Sequence, residues 1–209
     1  MSKKFDEWMT TRTSLLNRLK HWSDDKSWQE FFDAYAKLIY RFAVKAGLND
    51  AEAQDAVQET IITVAKNIQD FRYDRSVGSF KGWLLHIARW KVVDQFRKRR
   101  PGEGHPSRNS EKTTRTSTIQ RIPDPAGLRL EIVWDEEWKI SILEAATERV
   151  KHRVNPIHFQ IFDMYVLRKW PVEKVTRALG VSDDQVYAAK SRISALLKKE
   201  IAVLERSIL

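Results

Sequence analysis

Apolar residues recur at three- and four-residue steps through most of the chain. Trp28, Phe31, Phe32, Tyr35, Leu38, Ile39, Phe42 and Ala46 form one such stripe, which predicts an amphipathic helix ended by Gly47. Asn49 followed by Glu52 is a capping-box pair, and Ala53, Ala56, Val57, Thr60, Ile61, Val64 and Ile68 make the next apolar face. The opposite face of that helix carries Gln54, Asp55, Gln58 and Glu59. A loop rich in aromatics and charge, Asp70 to Ser79, leads to a third helix. This helix starts near Phe80 and runs through Trp83, Leu84, Ile87, Ala88 and Val92 into Arg97, Lys98, Arg99 and Arg100. An earlier helix around Leu15, Leu16, Leu19 and Trp22 is expected to pack on these.

The second half repeats the helical signal without repeating the sequence. A segment from Asp135 to about Arg153 carries Trp138, Ile142, Leu143, Ala146 and Val150. Asn155 and Pro156 read as an N-cap followed by proline at the first helical position, opening a helix with Ile157, Phe159, Ile161, Phe162, Tyr165 and Val166. Trp170-Pro171 breaks it. A short helix ending at Leu179, a turn at Gly180-Val181-Ser182 and a longer helix led by Asp183 and Asp184 then follow. That spacing is a helix-turn-helix, with Val175, Leu179, Val186 and Ile193 as its shared core.

Between the halves, Pro101 to Pro125 is rich in Pro, Gly, Ser and Thr and has no helical period, so it reads as an extended linker. The expected organisation is therefore all-α: two small helical domains, 1–100 and 131–209, joined by a flexible basic linker, 101–130, with the second a helix-turn-helix domain. Composition agrees. A 209-residue chain with eight Trp, nine Phe and five Tyr can close two modest cores. Seven Gly and six Pro are few for an all-β chain. Charge changes the picture more. Residues 1–96 hold 15 Lys/Arg against 13 Asp/Glu, 97–122 hold 8 against 2, and 123–209 hold 14 against 13. The excess of the +9 net charge thus sits in the connector and points to a polyanionic partner.

Other chemistry is excluded more readily than found. With zero cysteines there are no disulfides, thiolate metal sites or cysteine nucleophiles. No apolar run is long enough to span a membrane, and the N-terminus does not read as a secretory signal, so a cytoplasmic protein without membrane insertion is expected. His21, His86, His105, His152 and His158 form no metal-ligand motif, and no glycine loop suits a phosphate. Neither an enzyme nor a cofactor or metal is expected.

Three constellations remain. On the last helix Tyr187, Ala188, Ser191 and Arg192 face away from Val186, Ala189, Ile193 and Leu197, a small and polar face that suits a major groove. On the third helix Trp83 and Trp90 are interleaved with Arg89 and Lys91, with Phe71 and Tyr73 upstream. Rings for unpaired bases beside cations for the backbone are what single-stranded DNA requires, although Phe80 and Trp83 also suit the core. Asp55, Gln58 and Glu59 project together, either as a plain solvated face or as a docking surface for a basic partner.

Taken in this order, the chain resembles a bacterial RNA polymerase sigma factor of the extracytoplasmic-function (ECF) type. Residues 51–71 resemble the family segment that docks on polymerase, through Asp55, Val57, Gln58, Glu59 and, in place of the usual aromatic, Ile61. Residues 78–100 resemble the promoter-melting helix through Phe80, Trp83, Leu84, Ile87, Ala88, Arg89, Asp94 and the basic tail, with Trp90 where Asn is common. Residues 155–201 resemble the second conserved domain, although Tyr187 and Ala189 stand where the family often carries basic contacts and Lys190 where it carries an apolar residue. The resemblance implies docking on core RNA polymerase through Asp55, Gln58 and Glu59. It implies contact with the melted non-template strand of the −10 element through Phe71, Tyr73, Arg89, Trp90, Lys91, Arg97, Lys98, Arg99 and Arg100. Duplex −35 DNA would meet Gln185, Tyr187, Ala188, Lys190, Ser191 and Arg192. An anti-sigma factor is a further candidate partner. The competing expectation is a helix-turn-helix regulator that acts without polymerase, as a dimer on palindromic sites.

Overall fold

The computed structural model describes residues 12–20, 24–71, 79–99 and 125–206, and among these every regular element is a helix. They are α1 (Arg12–Leu19), α2 (Asp25–Lys45), α3 (Asp50–Asn67), α4 (Phe80–Lys98), α5 (Pro125–Arg153), α6 (Pro156–Phe162), α7 (Val172–Leu179) and α8 (Asp183–Arg206). A π-helical turn, Asp163–Leu167, follows α6 directly. The all-α expectation holds. Trp22, His21, Tyr73, Arg100, His105 and the stretch 101–124 lie outside the described residues.

The chain divides into two compact units, Met1–Trp138 and Lys139–Leu209. In the first, α2 packs against α1 and α3, and α3 against α4. Local chemistry sets each helix start. Asp24 accepts from the Ser27 amide at 3.1 Å, and Asn49 and Glu52 bond each other's backbone amides reciprocally. Ser79 accepts from the Gly82 amide at 3.2 Å. Gly47, at φ +105°, ends α2 in a left-handed turn in which its own amide bonds the Val44 carbonyl and that of Leu48 bonds Ala43. Phe31, Tyr35, Leu38, Ile39 and Phe42 of α2 are fully enclosed with Phe80 of α4, and each contributes about 2 kcal/mol by leaving water. Phe32, read as part of this stripe, is instead 45% exposed.

The first unit reaches further along the chain than the expected boundary near residue 130. Trp134 packs edge-on to Phe42 at 5.1 Å, and Trp138 lies 6.0 Å from Tyr35. Buried Glu137 pairs with Arg41 at 2.7 Å and Lys45 at 2.6 Å, while Lys81 pairs with Asp135. Residues 125–130, expected as linker, are already helical. Proline is tolerated at a first helical position, so Pro125 opens α5 where it was read as punctuation.

In the second unit the rest of α5 is tied to α8 by Arg149 and Arg153, which share the Glu200 carboxylate. Asn155 caps α6, accepting from the Ile157 amide at 3.0 Å. Ile161, Val175, Val186 and Ala189 form a small core flanked by Met164, Tyr165, Trp170, Val172, Leu179 and Val181. Gly180 stands between α7 and α8 at φ +65°, ψ 33°, a left-handed conformation that disfavours any residue with a Cβ. A short helix, a left-handed glycine and a long helix thus share one core, in the order expected of a helix-turn-helix.

Candidate nucleic-acid and polymerase interface

The acidic face of α3 is not a uniform solvated surface. Asp55 and Gln58 are exposed, but Glu59 is half-buried and turned to α4. Its carboxylate accepts from Lys98 at 2.8 Å and from Gln95 at 3.4 Å, and Lys91 lies 3.6 Å away. The bond from Lys98 holds the Glu59 carboxyl below its ordinary value, and Glu59 in turn raises Lys98. The expected trio therefore splits, with Asp55 and Gln58 facing outward and Glu59 engaged inside the unit.

The basic end of α4 is engaged in the same way. Arg99 grips the Glu52 carboxylate with two nitrogens, donates to the Gly47 carbonyl at 3.2 Å and lies 5.0 Å over the Phe96 ring. Arg99 chiefly, with the Asn49 amide, holds Glu52 down to about 2. Arg97 pairs with Asp94 at 3.2 Å across one turn. A run expected to offer free cations is thus largely matched by carboxylates of α3 and α4, which a count of charges along the chain cannot show.

Farther back on α4, Trp90 is 52% exposed with the His86 ring 6.0 Å away, and Arg89 and Lys91 flank it half-buried. Loss of hydration, then the nearby Arg89, pushes the His86 imidazole below its ordinary value. Phe71, expected to meet unpaired bases, is half-exposed and lies 4.7 Å from Trp83 and 5.8 Å from Phe80. It extends the aromatic cluster whose inner member, Phe80, is buried.

On α8 the predicted orientation holds. Val186, Ala189, Ile193 and Leu197 are buried, and Tyr187, Ala188, Lys190, Ser191 and Arg192 are exposed. Gln185 has a different task. Its Oε1 accepts from the Ser182 amide at 2.8 Å while its own amide donates to Ser182 Oγ at 3.3 Å. This is a capping box that fixes the start of α8. The signal was present as Ser-x-x-Gln. Sequence reasoning also placed Tyr165 only in an apolar stripe, yet its ring touches both Tyr187, at 6.0 Å, and Lys190, whose ammonium lies 5.5 Å from its centre. No cluster of His, Cys, Asp and Glu among the described residues could hold a metal ion, and none of their helices is long and apolar enough to cross a membrane.

Residues 31–101 match the family model for sigma-70 region 2, a span that runs from α2 to the end of α4. The chain is also similar to ECF RNA polymerase sigma factors. SigE of Mycolicibacterium smegmatis is 34% identical over 73 residues, which are 35% of this chain and 27% of that protein. SigW of Bacillus subtilis is 32% identical over 78 residues, 37% of this chain and 40% of SigW. RpoE of Cereibacter sphaeroides is 28% identical over 103 residues, 49% of this chain and 55% of RpoE. The matches thus span between a quarter and just over half of these relatives' lengths. Residues 31–101 are thus similar to sigma-70 region 2, and the relatives that match part of this chain are ECF sigma factors.

Proposed function

We propose that this chain is an ECF-type sigma factor: it binds core RNA polymerase, opens and recognises the −10 element with its first unit, and reads the −35 element as duplex with α8. It acts as a regulatory subunit in the cytoplasm and catalyses nothing itself. The observation that carries this reading is the region 2 match laid on α2, α3 and α4, a span in which Asp55, Gln58 and Trp90 are all exposed.

Asp55 and Gln58 meet polymerase. Glu59 sets the geometry of that face through Lys98 and Lys91. Trp90 offers a ring to an unpaired base beside Arg89 and Lys91, and Arg97 meets the backbone. Lys98 and Arg99 reach phosphate only by exchanging their carboxylate partners for it. Tyr73 and Arg100 complete the −10 set proposed here. Tyr187, Ala188, Lys190, Ser191 and Arg192 face the major groove, where an exposed arginine suits guanine and a small side chain suits close approach. An anti-sigma factor that covers the same faces would hold the chain inactive. A helix-turn-helix regulator acting alone would leave the region 2 unit without a role.

The test is association with core RNA polymerase. Purified chain and core enzyme should elute as a one-to-one complex in gel filtration. Separate elution at micromolar concentrations would overturn the reading.

A further inference from the structure

We propose that Tyr165, on the π-helical turn, is a positioning residue that fixes Tyr187 and Lys190 of α8 and thereby helps choose the upstream base pairs. The inference rests on the reading of α8 as a base-reading helix and adds a residue that lies outside it. Tyr187 and Lys190 are three apart on α8 and both are exposed, so their side chains lie together on one outer stripe. Long exposed side chains occupy many rotamers, and ordering them on binding costs conformational entropy. One ring constrains both. Tyr165 meets Tyr187 with ring planes at 85°, and its ring lies 5.5 Å from the Lys190 ammonium. A cation over a tyrosine ring and an edge-on aromatic pair are both favourable contacts.

Tyr165 is itself held firmly. It packs against the core formed by Ile161, Val175, Val186 and Ala189, so it carries the position of that core to the outer face of α8. The backbone that presents it is unusual. The Arg168 amide bonds the Asp163 carbonyl at 2.9 Å, the wide spacing of a π turn, and the Arg168 guanidinium closes on the Asp163 carboxylate at 2.7 Å. Lys169 then adopts φ +56°, a left-handed conformation that lysine disfavours. Widened turns and strained residues of this kind occur often at functional positions. Tyr165 lies on this wide turn and meets residues in the first turns of α8. The Tyr187 phenol is raised first by its proximity to Tyr165 and then by desolvation, consistent with the closeness of the two hydroxyls.

The test uses the full chain with core RNA polymerase and a promoter library randomised at the upstream element. Tyr165→Leu keeps apolar bulk and removes the ring, whereas Tyr165→Phe keeps the ring. Tyr165→Leu should lower base discrimination at one or two upstream positions at least about threefold, with Tyr165→Phe within about twofold of wild type. A merely packing role would move the melting temperature without changing the base profile. If Tyr165→Leu fails to fold, Tyr165→Met, pliant and similar in bulk, replaces it. A folded ring-less variant with the wild-type profile overturns the inference, and so does the failure of both variants to fold. Tyr187→Ala and Arg192→Ala separate the two levels of argument. If neither changes the profile, the reading of α8 itself fails; if they change it and Tyr165→Leu does not, only the role of Tyr165 fails.

Discussion

Glu52 serves two partners at once. It closes the capping box on the Asn49 amide at 2.9 Å and receives the Arg99 guanidinium from the far end of α4. Its pKa falls from an ordinary 4.5 to about 2, through Arg99 first. A carboxyl whose folded pKa is depressed stabilises the fold above its unfolded value and loses that contribution as pH falls through the folded one. Thermal melts should therefore show a loss of stability between about pH 4.5 and about pH 2 that is smaller in Glu52→Gln. Equal slopes for the two chains across that window would show that the pair adds nothing. The Asn49–Glu52 cap was legible in the sequence because its partners are three residues apart. The Arg99 contact was not, because 47 residues separate it from Glu52 and a charge on a helix does not name its partner.

Among the elements, α3 and α4 show how a charged face divides. An outward trio of Asp55, Gln58 and Glu59 follows from helical spacing, but Glu59 is taken by Lys98 and Lys91 of α4. A docking test that reverses Glu59 would therefore set a third cation against two lysines and confuse folding with binding. Asp55→Lys with Gln58→Lys avoids this. On an exposed face the double change should alter stability by under about 0.5 kcal/mol while abolishing capture by core polymerase. Capture at wild-type strength would remove the docking role from this face. The turn before α8 provides a second test. Gly180 has open space around its Cα but lies at φ +65°, so Gly180→Ala should cost the second unit about 1 kcal/mol in denaturant unfolding through backbone strain alone. The glycine, the helix pair and the inward residues Val186, Ile193 and Leu197 were legible from spacing. The capping role of Gln185 was legible too, as Ser-x-x-Gln, but was overshadowed by its place on a helix read as a DNA contact. The π turn carried no sequence signal, since its side chains are those of an ordinary helix.

At the scale of the whole molecule, each unit has its own core and its own outward chemistry. The all-helical class and the two-part plan followed from periodicity and from the composition of the connector. The position of the division did not. Trp134, Glu137 and Trp138 lie on a helix that looks as though it belongs to the second half, yet they pack with Tyr35, Phe42, Arg41 and Lys45 of the first. Aromatic bulk shows that a residue will be buried without showing against which unit. The central claim is that these two units together turn core polymerase into a promoter-specific enzyme. The most direct measurement is run-off transcription by core RNA polymerase from a promoter library, with and without the chain. The account predicts transcripts that depend on the chain and on both promoter elements, with −35 preference altered by Arg192→Ala and −10 preference unchanged by it. A stable complex with core enzyme that starts no more promoter-specific transcripts than core enzyme alone would contradict it.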